Sequence, residues 1–371
     1  MALKTKNTIL GILLYSTSHA SAAVIESGSF YSEVLELKNL AFTEDSGKYV
    51  APTVQERADF RQLAINLYDH NWATAETQAN NLGYDLVKFS NTTTNSVYWG
   101  VREQLVDGAQ TKGWGSFFIN ENAVTNVTIE VPHPVFDGNT HRLGERVFER
   151  SEANGFMLAG SHRSANGSQT ANPTSLEFSI FQEVHEIWNG GYGDSTAWQM
   201  HGYGATTKSY FPDGTDAVMS DGAGNVTPEL IALDIALEAL PDNVFGQAYV
   251  YNQLDTDNPL NELVNGVGQN GHDPFWRLRA FNNPQGQFSR DAGGTFVHIE
   301  TSTHIRSGST NRETYLANAI VSAINTTSQS SPGHVTNDII QIPTVPEPGL
   351  FGLFFASVLS LFYLRRHRAT L

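Results

Sequence analysis

The sequence predicts an α/β protein with a mostly parallel or mixed open sheet and helices on both faces. Strand-like and helix-like stretches alternate along most of the 371 residues, a pattern typical of a sheet between helical layers. The composition, 40% hydrophobic and 16% charged, indicates a chain that can form a full hydrophobic core.

Each element is predicted from periodicity and from end signals. Apolar spacing indicates the helices, and the helix at Pro228 begins where Thr227 can cap it and proline suits the first turn. Runs of β-branched and aromatic residues indicate the strands. The predicted order is helix 55–68, helix 71–82, strand 84–89, strand 124–131, helix 140–152, strand 156–160, helix 174–188, strand 197–201, helix 228–240, strand 247–251, strand 295–301 and helix 312–324.

The N-terminal residues 1–22 are predicted to be a secretory signal peptide. Lys4 and Lys6 precede an apolar run over 9–15, and Ala20-Ser21-Ala22 fits a small-residue cleavage site. A buried N-terminal helix is the alternative. The body is then residues 23–326, in which 27–123 is either an N-terminal extension or part of the same sheet; strand 84–89 favours the second.

The C-terminus has three consecutive parts after a polar linker over residues 327–344. Val345-Pro346-Glu347-Pro348 is followed by an apolar stretch over 349–364 and then by arginines 365, 366 and 368, an arrangement suited to a short transmembrane segment. Residues 345–371 resemble the PEP-CTERM sorting signal. The resemblance implies export, transient anchoring in the inner membrane of a Gram-negative bacterium, exosortase processing and an exopolysaccharide-rich cell surface or matrix. A plain C-terminal anchor is the alternative.

The composition and the absence of certain motifs limit which ligands and reactions the chain can support. The net charge is −16 without a basic cluster in the body, which argues against nucleic acid as a partner. There is no cysteine, so any metal must bind to histidine and carboxylate. The sequence contains no dinucleotide-binding glycine motif after a strand, no phosphate-binding loop and no nucleophile elbow.

Ionisable residues follow four predicted strands. His133 follows strand 124–131, Arg163 follows strand 156–160, His201 ends strand 197–201 and Glu300 lies near the end of strand 295–301. We expect these ends to meet at one edge of the sheet, where the chemistry of α/β proteins collects.

Each candidate has two interpretations. The loop from His133 can fold back so that Asp137 joins it at a cation, or Asp137 can cap the next helix. His201 precedes glycines that could leave its ring exposed, or it is a hydrogen-bonded core histidine. Glu300 is a general base or an ion-pair partner. Arg163 and Arg306 can hold a substrate carboxylate or form surface ion pairs.

Residues 124–324 resemble zinc carboxypeptidases and N-formylglutamate amidohydrolases, because a histidine with a carboxylate, an Arg/Asn segment, a second histidine and a late glutamate occur in the same order. The resemblance implies a carboxypeptidase/phosphorylase-like fold, with Zn²⁺ on His133, Asp137 and His201 and with Glu300 activating water. It also implies that the Arg163–Asn166 segment contacts substrate. The family's His-x-x-Glu is absent here, so Glu145 or Glu149 could replace Asp137. The segment His162-Arg163-Ser164-Ala165-Asn166 replaces the family's Asn-Arg pair.

We therefore expect a secreted zinc hydrolase of amide bonds that acts on a peptide or N-acyl amino acid. The main alternative is a non-enzymatic matrix protein associated with exopolysaccharide, which the 32 glycines and many Asn, Ser and Thr residues would suit. A third hypothesis keeps the metal but assigns an ester or phosphoester substrate.

Overall fold

The structure, a computed structural model, describes residues 23–204, 211–251, 275, 277–307 and 311–328. The predicted signal peptide, residues 329–344 of the predicted linker and the predicted sorting signal lie outside these residues. Within the described part of the chain, no helix is long and apolar enough to cross a membrane.

The described residues form alternating strands and helices, as predicted. In chain order these are β1 (Val24–Gly28), α1 (Phe30–Leu40), α2 (Val54–Tyr68), α3 (Trp72–Asn81), β2 (Tyr84–Asn91), β3 (Val97–Glu103), β4 (Ser116–Asn120), β5 (Thr125–Val131), α4 (Thr140–Ser151), β6 (Ala153–Leu158), α5 (Ile180–Trp188), β7 (Thr196–Tyr203), β8 (Thr215–Ser220), α6 (Pro228–Glu238), β9 (Gln247–Val250), α7 (Pro284–Asp291), β10 (Phe296–Ser302), α8 (Thr303–Arg306) and α9 (Arg312–Thr327).

The strands of the described residues form one ten-stranded mixed sheet in the order β1-β2-β3-β4-β6-β5-β7-β10-β8-β9. Its centre, β6-β5-β7-β10, is parallel throughout. The pairs β2-β3, β3-β4, β4-β6 and β10-β8 are antiparallel. The predicted fold class, an α/β fold with a mixed sheet, is confirmed. Strands β1 to β4, from the region 27–123 and its N-terminal flank, belong to this same sheet.

Helices cover both faces of the sheet. Helices α1, α4, α6 and α9 pack on one face through an apolar cluster that includes Phe30, Leu143, Leu233 and Ile320. On the opposite face, α2, α3 and α5 pack over the half of the sheet that contains β2, β3, β4 and β6. Successive side chains of a strand point to opposite faces, so each central strand contributes to both layers.

Several elements differ from the sequence prediction. The helix predicted over 174–188 begins only at Ile180, because Ser179 accepts the N–H of Gln182 as its N-cap and the residues before it form turns. The prediction missed β1, β3, β4, β8, α1, α7 and the short α8. Strand β4 is buried at every position and so shows no alternation. Strand β3 contains Gly100, where a Cβ would collide with Phe118 of β4, and a strand glycine weakens the sequence signal.

Helix α4, in the layer shared with α1, carries two neighbouring carboxyl groups, the buried Glu145 and the half-buried Glu149. Burial and the negative charge of Glu149 raise the pKa of Glu145 to about 9. Glu149 also accepts a hydrogen bond from Asn91 at the end of β2. Below that pH, therefore, Glu145 is predominantly protonated in the folded chain.

We expect Phe30→Ala to lower the free energy of unfolding by about 3–5 kcal/mol, as for other large-to-small substitutions in cores. Phe30 is fully buried, and its ring contacts those of Tyr98, Phe118 and Phe156. Urea unfolding measures the change, with Ile235→Ala as the control because Ile235 is 65% exposed. Equal stability of the two variants would contradict this packing.

We expect Glu145→Gln to stabilise the protein increasingly as the pH rises from about 4.5 towards 9. The raised pKa of Glu145 means that its contribution to stability is fully present below the unfolded value and is lost as the pH rises through the folded value. Glutamine mimics the protonated side chain and avoids this loss. Urea unfolding should show a much larger gain at pH 8 than at pH 5, and Glu177→Gln, at an exposed position, should show no such difference between the two pH values.

Candidate metal centre

The carboxyl ends of the four central parallel strands meet at one edge of the sheet, as predicted. His133 follows β5, His162 and Arg163 follow β6, His201 lies in β7 and Glu300 lies in β10. Glu300 pairs in register with His201 across neighbouring strands, so their side chains share a face. That face is the one opposite α4.

Asp137 joins the two histidines. Its Oδ2 lies 3.2 Å from His133 Nδ1 and 3.1 Å from His201 Nδ1. All three residues are buried, with 3–4% of their surface exposed. The loop folds back because the N–H of Asp137 donates to the carbonyl of His133. The N-cap position of α4 is held by Asn139, in a left-handed conformation, and not by Asp137.

The other nitrogen of each ring faces an amide oxygen. His133 Nε2 lies 2.6 Å from Asn172 Oδ1, and His201 Nε2 lies 2.9 Å from Gln199 Oε1. An amide oxygen only accepts hydrogen bonds, which assigns the ring proton to Nε2. When the rings are neutral, both Nδ1 lone pairs therefore point towards Asp137.

Burial and charge set the protonation states. Burial lowers the pKa of His201 to about 4, although its hydrogen bond to Asp137 opposes the shift. Burial alone would raise the pKa of Asp137, but the charges and hydrogen bonds of His133 and His201 outweigh it, so its pKa lies below the usual value. Near neutral pH the cluster presents a carboxylate beside a neutral imidazole.

This donor set is compatible with a metal ion. One ligand atom each from His133, Asp137 and His201 lie within 4.8 Å of one another. Two imidazole nitrogens and a carboxylate oxygen that face one another can share a cation, and this combination of ligands suits a borderline metal such as zinc. The alternative ligands Glu145 and Glu149 are not brought here, because they lie on α4, where Glu149 accepts from Asn91 and Glu145 contacts Glu149.

His298 is a residue that the sequence analysis did not select. It pairs in register with Gln199, and its ring lies 4.6 Å from that of His201. Burial lowers its pKa well below the usual value, and its Nδ1 has no hydrogen-bond partner among the described residues. His201, His298 and Glu300 form a second group of possible metal ligands. The sequence signal was its position two residues before Glu300, on the same face of one strand.

The three predicted substrate residues occupy different surroundings. Arg163 is half-buried at the rim, with its guanidinium 4.8 Å from the ring centroid of the exposed Phe136 and 2.9 Å from Gln169 Oε1. Arg306 is buried and donates to the carbonyls of Thr301 and Tyr203. Burial lowers its pKa, and the negative charges of Asp137 and Glu300 partly oppose that shift. Asn166 is not brought to the cluster, because its side chain pairs with the backbone of Tyr49.

The expectation that glycines leave the ring of His201 exposed is wrong. His201 is 4% exposed, and Gly202 continues strand β7. A Cβ at Gly202 would lie 2.1 Å from the guanidinium carbon of Arg306. The glycine therefore makes space for a buried arginine and does not form a turn.

Comparison with protein-family models and with curated proteins gives no match. Among solved structures, the chain is similar to a candidate metallopeptidase from Shewanella denitrificans OS217, at 11% sequence identity and a TM-score of 0.29, over 70% of this chain and 89% of that chain. This similarity is too low to carry a conclusion about fold or function. The resemblances to carboxypeptidases, to amidohydrolases and to the sorting signal stay predictions.

Proposed function

We propose that this chain is a zinc-dependent hydrolase of amide bonds that acts on a peptide or an N-acyl amino acid. The observation that carries the proposal is the convergence of His133 Nδ1, Asp137 Oδ2 and His201 Nδ1, with the carboxylate of Glu300 on the neighbouring strand. These three residues would hold the ion. A Zn²⁺ ion with an open coordination position lowers the pKa of water to about 7 and polarises a carbonyl group.

Glu300 is suited to the proton transfers. Its side chain is 12% exposed, so it borders both solvent and the buried cluster. Oε1 lies 4.0 Å from His298 Nε2. Glu300 would accept a proton as water attacks the amide carbon and would return it to the leaving nitrogen as the C–N bond breaks.

Arg163 is suited to hold an anionic group of the substrate. Its half-buried guanidinium is positioned by Phe136 and Gln169, which leaves further N–H groups for a carboxylate. The exposed ring of Phe136 beside it would contact an apolar part of the substrate. Arg306 would act from behind the site, where its charge offsets those of Asp137 and Glu300.

The proposal places the enzyme outside the cell. The predicted signal peptide and the resemblance of residues 345–371 to a PEP-CTERM signal support export, transient inner-membrane anchoring and exosortase processing. The substrate would then be an envelope or matrix component.

We expect the purified full chain to contain about one zinc per molecule and the His133→Ala/His201→Ala variant to contain none. Elemental analysis after dialysis measures the content. His304→Ala is the matched control, because His304 is 47% exposed and contacts Asp216 instead. A folded parent that takes up no metal when supplied with zinc would exclude the proposed hydrolase and favour the matrix protein.

We expect Glu300→Gln to lower the rate of amide hydrolysis about 10²–10⁴-fold, without loss of zinc. The assay uses a panel of N-acyl amino acids and short peptides, with ester and phosphoester analogues that test the alternative bond types. Unchanged hydrolysis by this variant would remove Glu300 from the mechanism. Cleavage of the phosphoesters alone would contradict the amide assignment.

A further inference from the structure

We propose that Asn172 and Gln199 are positioning residues that hold both ligand histidines with the proton on Nε2, so that each ring presents its Nδ1 lone pair to the cation. This inference rests on the proposed function and extends it to residues outside the ligand set. The outer partner of a metal-ligating histidine commonly fixes the tautomer and orientation of the ring. Here both outer partners are neutral amides in buried positions.

Backbone hydrogen bonds orient the amide beside His133. Asn172 Oδ1 accepts from the N–H of Thr174 at 3.2 Å and from its Oγ1 at 2.9 Å. A backbone N–H can only donate, so the oxygen of Asn172 must lie on this side. Its Nδ2 donates to Gln169 and Ser175. The amide therefore has no free rotation, and it offers His133 Nε2 an acceptor.

The start of helix α7 orients the amide beside His201 through one intermediate residue. Asn283 caps α7, and its Oδ1 accepts from the N–H groups of Gln285 and Gly286. Its Nδ2 is thereby directed to Gln199 Oε1, at 2.6 Å. The same Oε1 accepts from His201 Nε2, while Gln199 Nε2 donates to Glu130 Oε2 at 2.9 Å. Both ends of Gln199 are thus fixed.

Glu130 anchors this row from the centre of the sheet. It also lies 2.6 Å from His185 Nδ1, and His185 Nε2 contacts Ser289 Oγ at 3.1 Å. The order Ser–His–Glu is that of a nucleophilic triad, but all three residues are fully buried, so a substrate could not reach Ser289. The group serves as a rigid support for Gln199.

The test compares Asn172→Leu, which removes the acceptor with little change in volume, with Asn172→Asp, which keeps it. Zinc affinity is measured by competition with a chromophoric chelator. Long-range ¹⁵N spectra of the zinc-loaded protein show which ring nitrogen carries the proton. We expect Nε2–H for both histidines in the parent and in Asn172→Asp. We expect zinc affinity about 10–100-fold weaker in Asn172→Leu, with an altered signal from His133 alone.

The unchanged signal of His201 in Asn172→Leu is the internal control for folding. Parental zinc affinity in that variant, or ring protons on Nδ1 in the parent, would overturn the positioning role. A parent that binds no zinc would instead overturn the proposed function itself. If Asn172→Leu does not fold, Asn283→Asp replaces it, because aspartate preserves the cap of α7 but removes the donor to Gln199. Zinc affinity should then fall because Gln199 no longer holds the ring of His201 in place. Unchanged zinc affinity would contradict the inference.

Discussion

Polar side chains buried at the centre of the sheet must find hydrogen-bond partners, and the arrangement of the candidate site follows from that requirement. Glu130, Gln199 and His298 form one row across β5, β7 and β10. Apolar side chains in this row would need no hydrogen-bond partners and would not orient their neighbours. In the polar row, Glu130 instead fixes the amide of Gln199, and Gln199 fixes the ring of His201. The orientation of His201 at the end of β7 therefore depends on the row below it.

One face of the central strands forms the apolar core, and the other face holds the candidate site. The face under α1, α4, α6 and α9 is apolar along the central strands, with Ile129, Met200 and Ile299 all fully buried. This layer supplies most of the hydrophobic stabilisation of the centre. The opposite face of the same strands can then hold His201 and Glu300, because alternation separates the two sets of side chains. Successive residues of one strand therefore serve the apolar core and the candidate site in turn, as Met200 and His201 do in β7.

Electrostatics link the cluster to its surroundings. Asp137 is the carboxylate shared by both histidines, and Arg306 lies buried behind it with Glu300 nearby. Burial lowers the pKa values of His201, His298 and Arg306, which favours neutral imidazoles beside a single retained guanidinium. A divalent cation would complete the balance of a site that is rich in acceptors and poor in donors. The rim, with the exposed Phe136 and the half-buried Arg163, lies on the solvent side of the cluster.

The sequence by itself determined the α/β class, the central strands and the candidates His133, Asp137, His201 and Glu300, because periodicity and chain order are local properties. The tertiary structure decided the sheet order, the short buried β4 and the late start of α5, which depend on contacts distant in sequence. It also decided that Asn166 pairs with Tyr49 and that Glu145 lies on the other face. The outer partners Asn172, Gln199 and Asn283 carry no signal of their own, since an amide gains its role only from the groups folded against it.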